Sequence, residues 1–410
     1  MRKAYKFRLY PTKKQEQVLF WTLTRCRELY NAALAERKEA YRMAGKSISY
    51  YEQKRDLVEM KAVLRPEYQD IHSQVIQDVL LRLKRSFDGF FRRVANGEEP
   101  GYPRFQGRNR YNSFTYPQGG YSLTHDQRVC LSKIGSIKIT LHRPLKGTIK
   151  TCTIKYEAGQ WYAIFSCEGE QPEPLPVGKS EVGIDLGVTH FAALSDGTFI
   201  ESPRYYRHAQ KKLEKLHQAL CRKKRGSHRR EKARKAIAKA HRQIANQRRD
   251  FHHKSAKQLV KQHQTIVFEE LEITNISKRA KPKQDEHGTY LPNGAAAKSG
   301  LNKSILDAGW GQFQQIVSHK AACAGRAVLF VNPHYTSQVC SSCGTVGKKT
   351  LDERWHSCAC GCELDRDTNA AINILRLGSS QRGATRVEAP CLKTRGTSQQ
   401  EKMEVGYSND

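Results

Sequence analysis

Cys340-Ser-Ser-Cys343, Cys358-Ala-Cys360 and Asp365-Arg-Asp367-Thr-Asn-Ala-Ala-Ile-Asn-Ile374 form the stretch on which the reading of this chain turns. Two close cysteine pairs with fourteen residues between them read as a four-thiolate knuckle. Four sulfurs suit tetrahedral Zn²⁺ with no open position, which makes the metal structural. Cys340, Cys343, Cys358 and Cys360 are the candidate ligands. The C-x-C pair is tighter than the usual C-x₂-C, Cys362 is a spare candidate, and a Cys358/Cys362 pairing stays open. The acidic motif that follows opens an apolar helix. Asp367 reads either as the N-cap of that helix or as a carboxylate available to a catalytic metal.

Two upstream segments supply further carboxylates. Asp185 sits inside the apolar run Val182-Gly-Ile-Asp-Leu-Gly187. A carboxylate among buried residues is costly unless it is paired, protonated or bound to metal, and the flanking glycines allow close backbone approach. A strand-end Asp satisfied by hydrogen bonds is the plainer alternative. Glu269 and Glu270 close a second apolar strand, Thr265 to Leu271. Neighbouring strand residues face opposite ways, so only one can share a site with Asp185; strand geometry alone favours neither. Carboxylates on two buried strands and a helix start are what two Mg²⁺ ions need for phosphodiester cleavage.

Composition narrows the partners. The 410 residues allow two or three domains, and a net charge of +31 calls for a polyanion. Nucleic acid fits best, because Lys and Arg displace counterions from phosphates; an anionic membrane is the rival. There is no apolar run of about 18 residues, and the basic start MRKAYKFRLYPTKKQ lacks a secretory apolar core. The expectation is a soluble, intracellular, cytoplasmic protein. Of twelve cysteines, seven are scattered singly, which argues against a disulfide framework.

Along the chain, residues 1–10 alternate as one strand. Residues 11–96 carry helical periodicity, with Thr12 and Gln15 as a capping box and a stripe of Val75, Val79, Leu80, Leu83, Phe87, Phe90 and Phe91. Residues 97–120 read as a turn-rich connector whose aromatic and basic residues suit stacking and phosphate contact, or simply form an exposed loop. Residues 121–170 give short alternating strands, hence a small β-barrel joined by the first strand, and 171–180 a Pro-rich linker. After a strand-turn-strand from Val182 comes a basic helical segment over 205–263, with 18 Lys/Arg against two Glu between Arg204 and Arg249. Residues 277–303 read as a polar lid or disordered loop, 304–324 as a helix, 326–333 as a strand, and the tail from 378 as disordered.

These pieces, in this order, resemble the TnpB family of transposon-encoded RNA-guided nucleases, related to type V CRISPR effectors. The resemblance rests on FRLYPTKKQ, SQVIQDVLLRLKRSFDGFFRR with GYPRFQGRNRYNSF, GIDLGVTHFAALSDG, VFEEL, ILDAGWGQF, YTSQVCSSCG and CELDRDTNAAINIL. It spans about residues 1–377. It implies an α/β plus β-barrel architecture. An RNase H-like RuvC nuclease domain (181–335 and 363–377) would carry a zinc-ribbon target-nucleic-acid-binding insertion (336–362). A wedge β-barrel (1–10 and 97–176) would carry a helical recognition insertion (11–96). By motif position it places the catalytic, Mg²⁺-binding acids at Asp185, Glu269 and Asp367, and the zinc ligands at Cys340, Cys343, Cys358 and Cys360.

The activity it implies is RNA-guided, Mg²⁺-dependent cleavage of double-stranded DNA beside a short target-adjacent motif. The implied partners are guide RNA and target DNA, one chain per guide, near a prokaryotic nucleoid. A guided DNA-binding regulator that does not cut and a guide-independent transposase are the alternatives.

Overall fold

Strict alternation makes the first strand. In β1 (Arg2–Tyr10), Tyr5, Phe7 and Leu9 are buried while Arg8 and Tyr10 are exposed. The computed structural model describes residues 1–384 except 109, 171–172, 179, 348–349 and 351–352, with the side chains of 382–384 also left aside. The chain divides into two compact units, Met1–Gln171 and Pro172–Asp410.

In the first unit β1 is followed by three helices, α1 (Lys13–Ala44), α2 (Tyr50–Glu59) and α3 (Ser73–Ala95). The capping box forms at the start of α1, where Thr12 accepts from the Gln15 N–H and Gln15 accepts from the Thr12 N–H. Six strands follow: β2 (Ser113–Tyr116), β3 (Tyr121–Thr124), β4 (Arg128–Leu131), β5 (Gly135–Thr140), β6 (Thr148–Glu157) and β7 (Gln160–Glu168). With β1 they build one antiparallel sheet ordered β2-β6-β7-β1-β5-β4-β3. Among the described residues β2 and β3 stand at the two ends of this strand order, and β2 arises from the segment read as a connector. Of the expected α3 stripe Phe91 is exposed and Phe90 only half-buried; the rest meets the buried face of the sheet in one core with Phe7, Phe114, Phe165, Val79 and Leu83. Each such side chain contributes about 1.5–3 kcal/mol on burial.

The second unit opens with β8 (Glu181–Asp185), β9 (His190–Leu194) and β10 (Phe199–Glu201). The basic segment read as continuous is two helices, α4 (Tyr205–Cys221) and α5 (His228–Gln262). Gly226 at φ 83° breaks it, and the Ser227 side chain caps the restart. Next come β11 (Thr265–Glu269), α6 (Ile273–Ile276), the short pair β12 (Lys283–Gln284) and β13 (Tyr290–Leu291), α7 (Ala295–Ala308) and α8 (Trp310–Ala324).

Residues 277–303 are therefore not wholly irregular. An alanine run starts α7, and the amide of Asn302 and the ammonium of Lys298 bind carbonyls at residues 276–278. The helix expected over 304–324 is split at Gly309, whose φ of 68° caps α7. β14 (Ala327–Val331), β15 (Trp355–Ser357), β16 (Glu363–Asp365) and α9 (Arg366–Ala384) complete the unit. Helix α9 runs past Gly378 to Ala384, so the tail begins later than expected; residues 385–410 lie outside the described residues. Among the described residues no helix is long and apolar enough to cross a membrane.

The sheet order β10-β9-β8-β11-β14, with β8, β11 and β14 parallel and β9 and β10 antiparallel, is that of an RNase H-like sheet. Val182, Ile184, Ile266 and Phe268 enter a core with residues of α5 and α8, including Leu259 and Phe313. Val267 and Val331 form a second core with Ile374 of α9. Helix α9 comes so close to β8 that a Cβ on Gly183 would collide with the Ala371 carbonyl oxygen and stand 2.6 Å from the Leu375 nitrogen.

Gly183→Ala should therefore destabilise the protein by about 1–3 kcal/mol, the range for overpacking, and denaturant unfolding checks it. Unchanged stability would mean that α9 does not lie this close.

Candidate active site and cysteine knuckle

Strand parity selects the acids. In β8, Gly183 and Asp185 lie on the α9 side, opposite Val182 and Ile184. In β11, Val267 faces α9 and so does Glu269 two residues on, whereas Glu270 is exposed. Phe268 pairs with Ile184 in parallel register, so Asp185 and Glu269 occupy neighbouring strand ends at one level. Glu269 is the member that shares the Asp185 face.

The third carboxylate arrives on α9. Asp365, not Asp367, caps this helix: its Oδ1 accepts the N–H of Asp367 at 2.9 Å and of Thr368 at 3.2 Å. The N-cap reading of Asp367 is thereby corrected, and its side chain is left free in the first turn. Asp367 Oδ2 would lie 3.9 Å from a Cβ at Gly187, just beyond the end of β8.

The electrostatics follow from this convergence. Desolvation, then Glu269, then Asp367 push the Asp185 carboxyl well above its ordinary value. Burial raises Glu269, against a hydrogen bond from the Thr336 hydroxyl. Desolvation and the nearby Asp365 raise Asp367, while Arg354, Arg366 and His190 pull the other way. Among the described residues no Lys, Arg or His nitrogen lies within 4.0 Å of any of the three. Three converging carboxylates with no ion-paired cation offer the oxygen donors that divalent cations take. Their oxygens are not all within 4.8 Å of one another, as the knuckle sulfurs are. Mg²⁺ keeps several of its own waters and is held by one or two carboxylates, so a single ion need not touch all three.

The cysteines assemble as a quartet. Cys340, Cys343, Cys358 and Cys360 have all four sulfurs within 4.8 Å of one another. Cys340 and Cys360 sulfurs are 3.7 Å apart, and those of Cys343 and Cys358 3.5 Å. The edge of a tetrahedron with Zn–S bonds of about 2.3 Å is about 3.8 Å, so the sulfurs fit Zn²⁺. Although desolvation raises the Cys340 thiol, the backbone N–H groups of Cys343 and Ser342 outweigh it and bring it to about 6. Cys362 belongs instead to an overlapping group with Cys340 and buried His356.

Several residues that join knuckle to acids escaped the sequence reading. The α9 amides of Asn369 and Asn373, both buried, donate to the Val339 carbonyl at 2.8 and 2.7 Å, and Asn373 also donates to that of Thr336 at 2.9 Å. The Ser341 N–H donates to Asn369 at 2.9 Å. Thr336 in turn binds Glu269, and the Gln314 amide holds the Glu269 carbonyl at 3.1 Å. The findable signal was Asn369 and Asn373 at i, i+4 spacing within an otherwise apolar helix.

The chain thus carries strand-end carboxylates on an RNase H-like sheet, followed by a four-thiol knuckle. Comparison with known proteins places the chain among relatives. The family model OrfB_IS605, described as "Probable transposase", matches residues 164–280. "Cas12f1-like, TNB domain" matches 310–374, and a "Helix-turn-helix domain" model 1–46. The chain is 36% identical over 378 residues to "Putative RNA-guided DNA endonuclease InsQ" of Escherichia coli K12, covering 92% of each protein. It is 31% identical over 385 residues to "Putative RNA-guided DNA endonuclease" of Streptomyces pristinaespiralis, covering 92% of this chain and 90% of that one. It aligns distantly with a solved structure of CasPhi-2 (Cas12j) bound to crRNA, at 11% identity and TM-score 0.47, over 95% and 99% of the two chains. The chain belongs to the TnpB family.

The raised carboxyls give a pH test. A folded-state pKa above the unfolded one loses stability as pH rises from the ordinary value near ~4 through the folded value. In metal-free buffer Asp185→Asn should therefore be more stable than wild type at pH 7, with the gap closing toward pH ~4. Thermal unfolding across that range checks it; a wild type more stable at pH 7 would contradict the convergence.

Proposed function

We propose that this protein is an RNA-guided, Mg²⁺-dependent DNA endonuclease of a transposable element. It cuts double-stranded DNA complementary to a guide RNA, beside a short target-adjacent motif. One observation carries the reading: Asp185, Glu269 and Asp367 come together at the strand ends of an RNase H-like sheet with no cation in ion-pair contact among the described residues. The names of the relatives and the net charge of +31 support it.

In this reading the three acids would hold two Mg²⁺ ions. Bound there, the ions supply water activation and stabilisation of the leaving oxygen. The chain's own contribution is positional. Thr336 fixes Glu269, Asp365 takes over the capping of α9 so that Asp367 stays available, and β8 and β11 set Asp185 level with Glu269. Cys340, Cys343, Cys358 and Cys360 would hold one structural Zn²⁺. Guide pairing reads the target, while the protein grips the backbones of RNA and DNA, one chain per guide, in the cytoplasm at the nucleoid.

Target-plasmid cleavage with the native guide RNA tests this. Asp185→Ala should lower the rate more than about 100-fold with guided binding retained, and Thr336→Val by about 10-fold, as for partners that orient metal ligands. Full cutting by Asp185→Ala would remove the metal assignment. Metal analysis should find zinc retained in Cys362→Ser and lost in Cys360→Ser; the reverse would move the fourth ligand to Cys362. The description "Probable transposase" favours a second reading, guide-independent cutting of element ends. RNase-treated protein that still cut such ends would establish it.

A further inference from the structure

The second unit contains a cleft of about 500 Å³ that the acidic site does not use. It opens at the same end of the sheet. Strand β8 ends at Asp185, and Val188, three residues on, lines the cleft. His190 at the start of β9 pairs with Glu201 at the end of β10, and Ser202, Pro203 and Arg204 continue from there into the wall.

The lining is graded. Exposed Arg204, Arg207 and His208 stand at the mouth, while half-buried Phe251 and buried His252 form the floor. His252 Nε2 lies 2.9 Å from the Ala308 carbonyl and must donate to it. Burial takes this imidazole down to about 4, so the floor is uncharged at neutral pH.

The charge at the mouth has no internal counter-ion. The carboxylate in the lining is Asp307, and it is already satisfied. It receives Arg248 at 2.8 Å and the Tyr206 N–H at 3.0 and 2.9 Å, tying α5 and α4 to the end of α7. Among the described residues neither Arg204 nor Arg207 has a carboxylate within 4.0 Å. Arg207 is nonetheless held in place, donating to the Gly300 carbonyl at 2.8 Å and the Ser304 hydroxyl at 3.0 Å.

We propose that this cleft is a subsite for one nucleotide of a single strand, with its base over the uncharged floor and its phosphate at Arg204 and Arg207. The volume lies within the range of small-ligand pockets, and an apolar seat with a cationic mouth is how single strands are held. Resting on the proposed nuclease activity, the strand is DNA on its way to Asp185. RNA presents the same phosphodiester chemistry, so both are tested.

The test is fluorescence anisotropy of labelled 12-nucleotide single-stranded DNA and RNA with the full chain carrying Asp185→Asn. Arg204→Gln with Arg207→Gln should weaken DNA binding about 10-fold or more, equivalent to about 1.4 kcal/mol. Ser202→Trp, which fills the cleft without changing charge, should do the same. The charge-matched control Lys232→Gln with Lys235→Gln, on exposed positions of α5, should change it much less. Thermal unfolding confirms that each variant is folded.

Cleft variants no weaker than the control would overturn the subsite, and an effect on RNA alone would overturn the assignment to the cut strand. Binding is read without cutting, so the two failures separate. Lost affinity in the cleft variants beside a wild type that cannot cleave would leave the subsite standing and remove the nuclease reading.

Discussion

The acidic site depends on how closely α9 can lie against β8. A side chain at Gly183 would strike the backbone of α9 at Ala371 and Leu375. Its absence lets the helix settle over β8 and β11, where Gly378 likewise leaves room for Val267. Asp367 rides in the first turn of that helix, so the same close packing that buries Ile374 brings its carboxylate to the strand ends. Packing and chemistry are one constraint here.

The consequence is electrostatic. Parallel pairing puts Asp185 and Glu269 side by side, and parity turns both toward α9. Desolvation opposes ionisation of all three carboxyls, and at Asp185 the neighbouring Glu269 and Asp367 add to it. Such an arrangement costs stability unless cations relieve it, and perturbed carboxylates in this setting mark functional sites. The helix cap is spared from that cost because Asp365 performs it.

Much of this could be read in the residues, and the rest could not for physical reasons. Asp185 stood out because a carboxylate inside an apolar strand is expensive, and the cysteine quartet because its spacing matches a metal. Strand chemistry alone does not separate Glu269 from Glu270; the family resemblance points to Glu269, and strand register shows that it is the one on the α9 face. The resemblance likewise points to Asp367, but which of Asp365 and Asp367 caps α9 could not be read, since a cap is decided by backbone geometry over one residue. The breaks at Gly226 and Gly309 turn on left-handed backbone that composition does not show. The seven-stranded sheet is held by pairing of β1 with β7 across more than a hundred and fifty residues, which local periodicity does not encode.

The cysteine knuckle and the acids are joined by a chain of buried hydrogen bonds: Asn369 and Asn373 to Val339 and Thr336, and Thr336 to Glu269. Ordering of the knuckle thus bears on the position of the Glu269 carboxylate. The central claim is that the three acids form one divalent-cation site. Anomalous diffraction from crystals soaked in Mn²⁺ tests it most directly. The account predicts manganese peaks bounded by Asp185, Glu269 and Asp367, and their loss in Asp185→Asn crystals. Manganese bound only elsewhere, with these carboxylates making no contact to it, would contradict it.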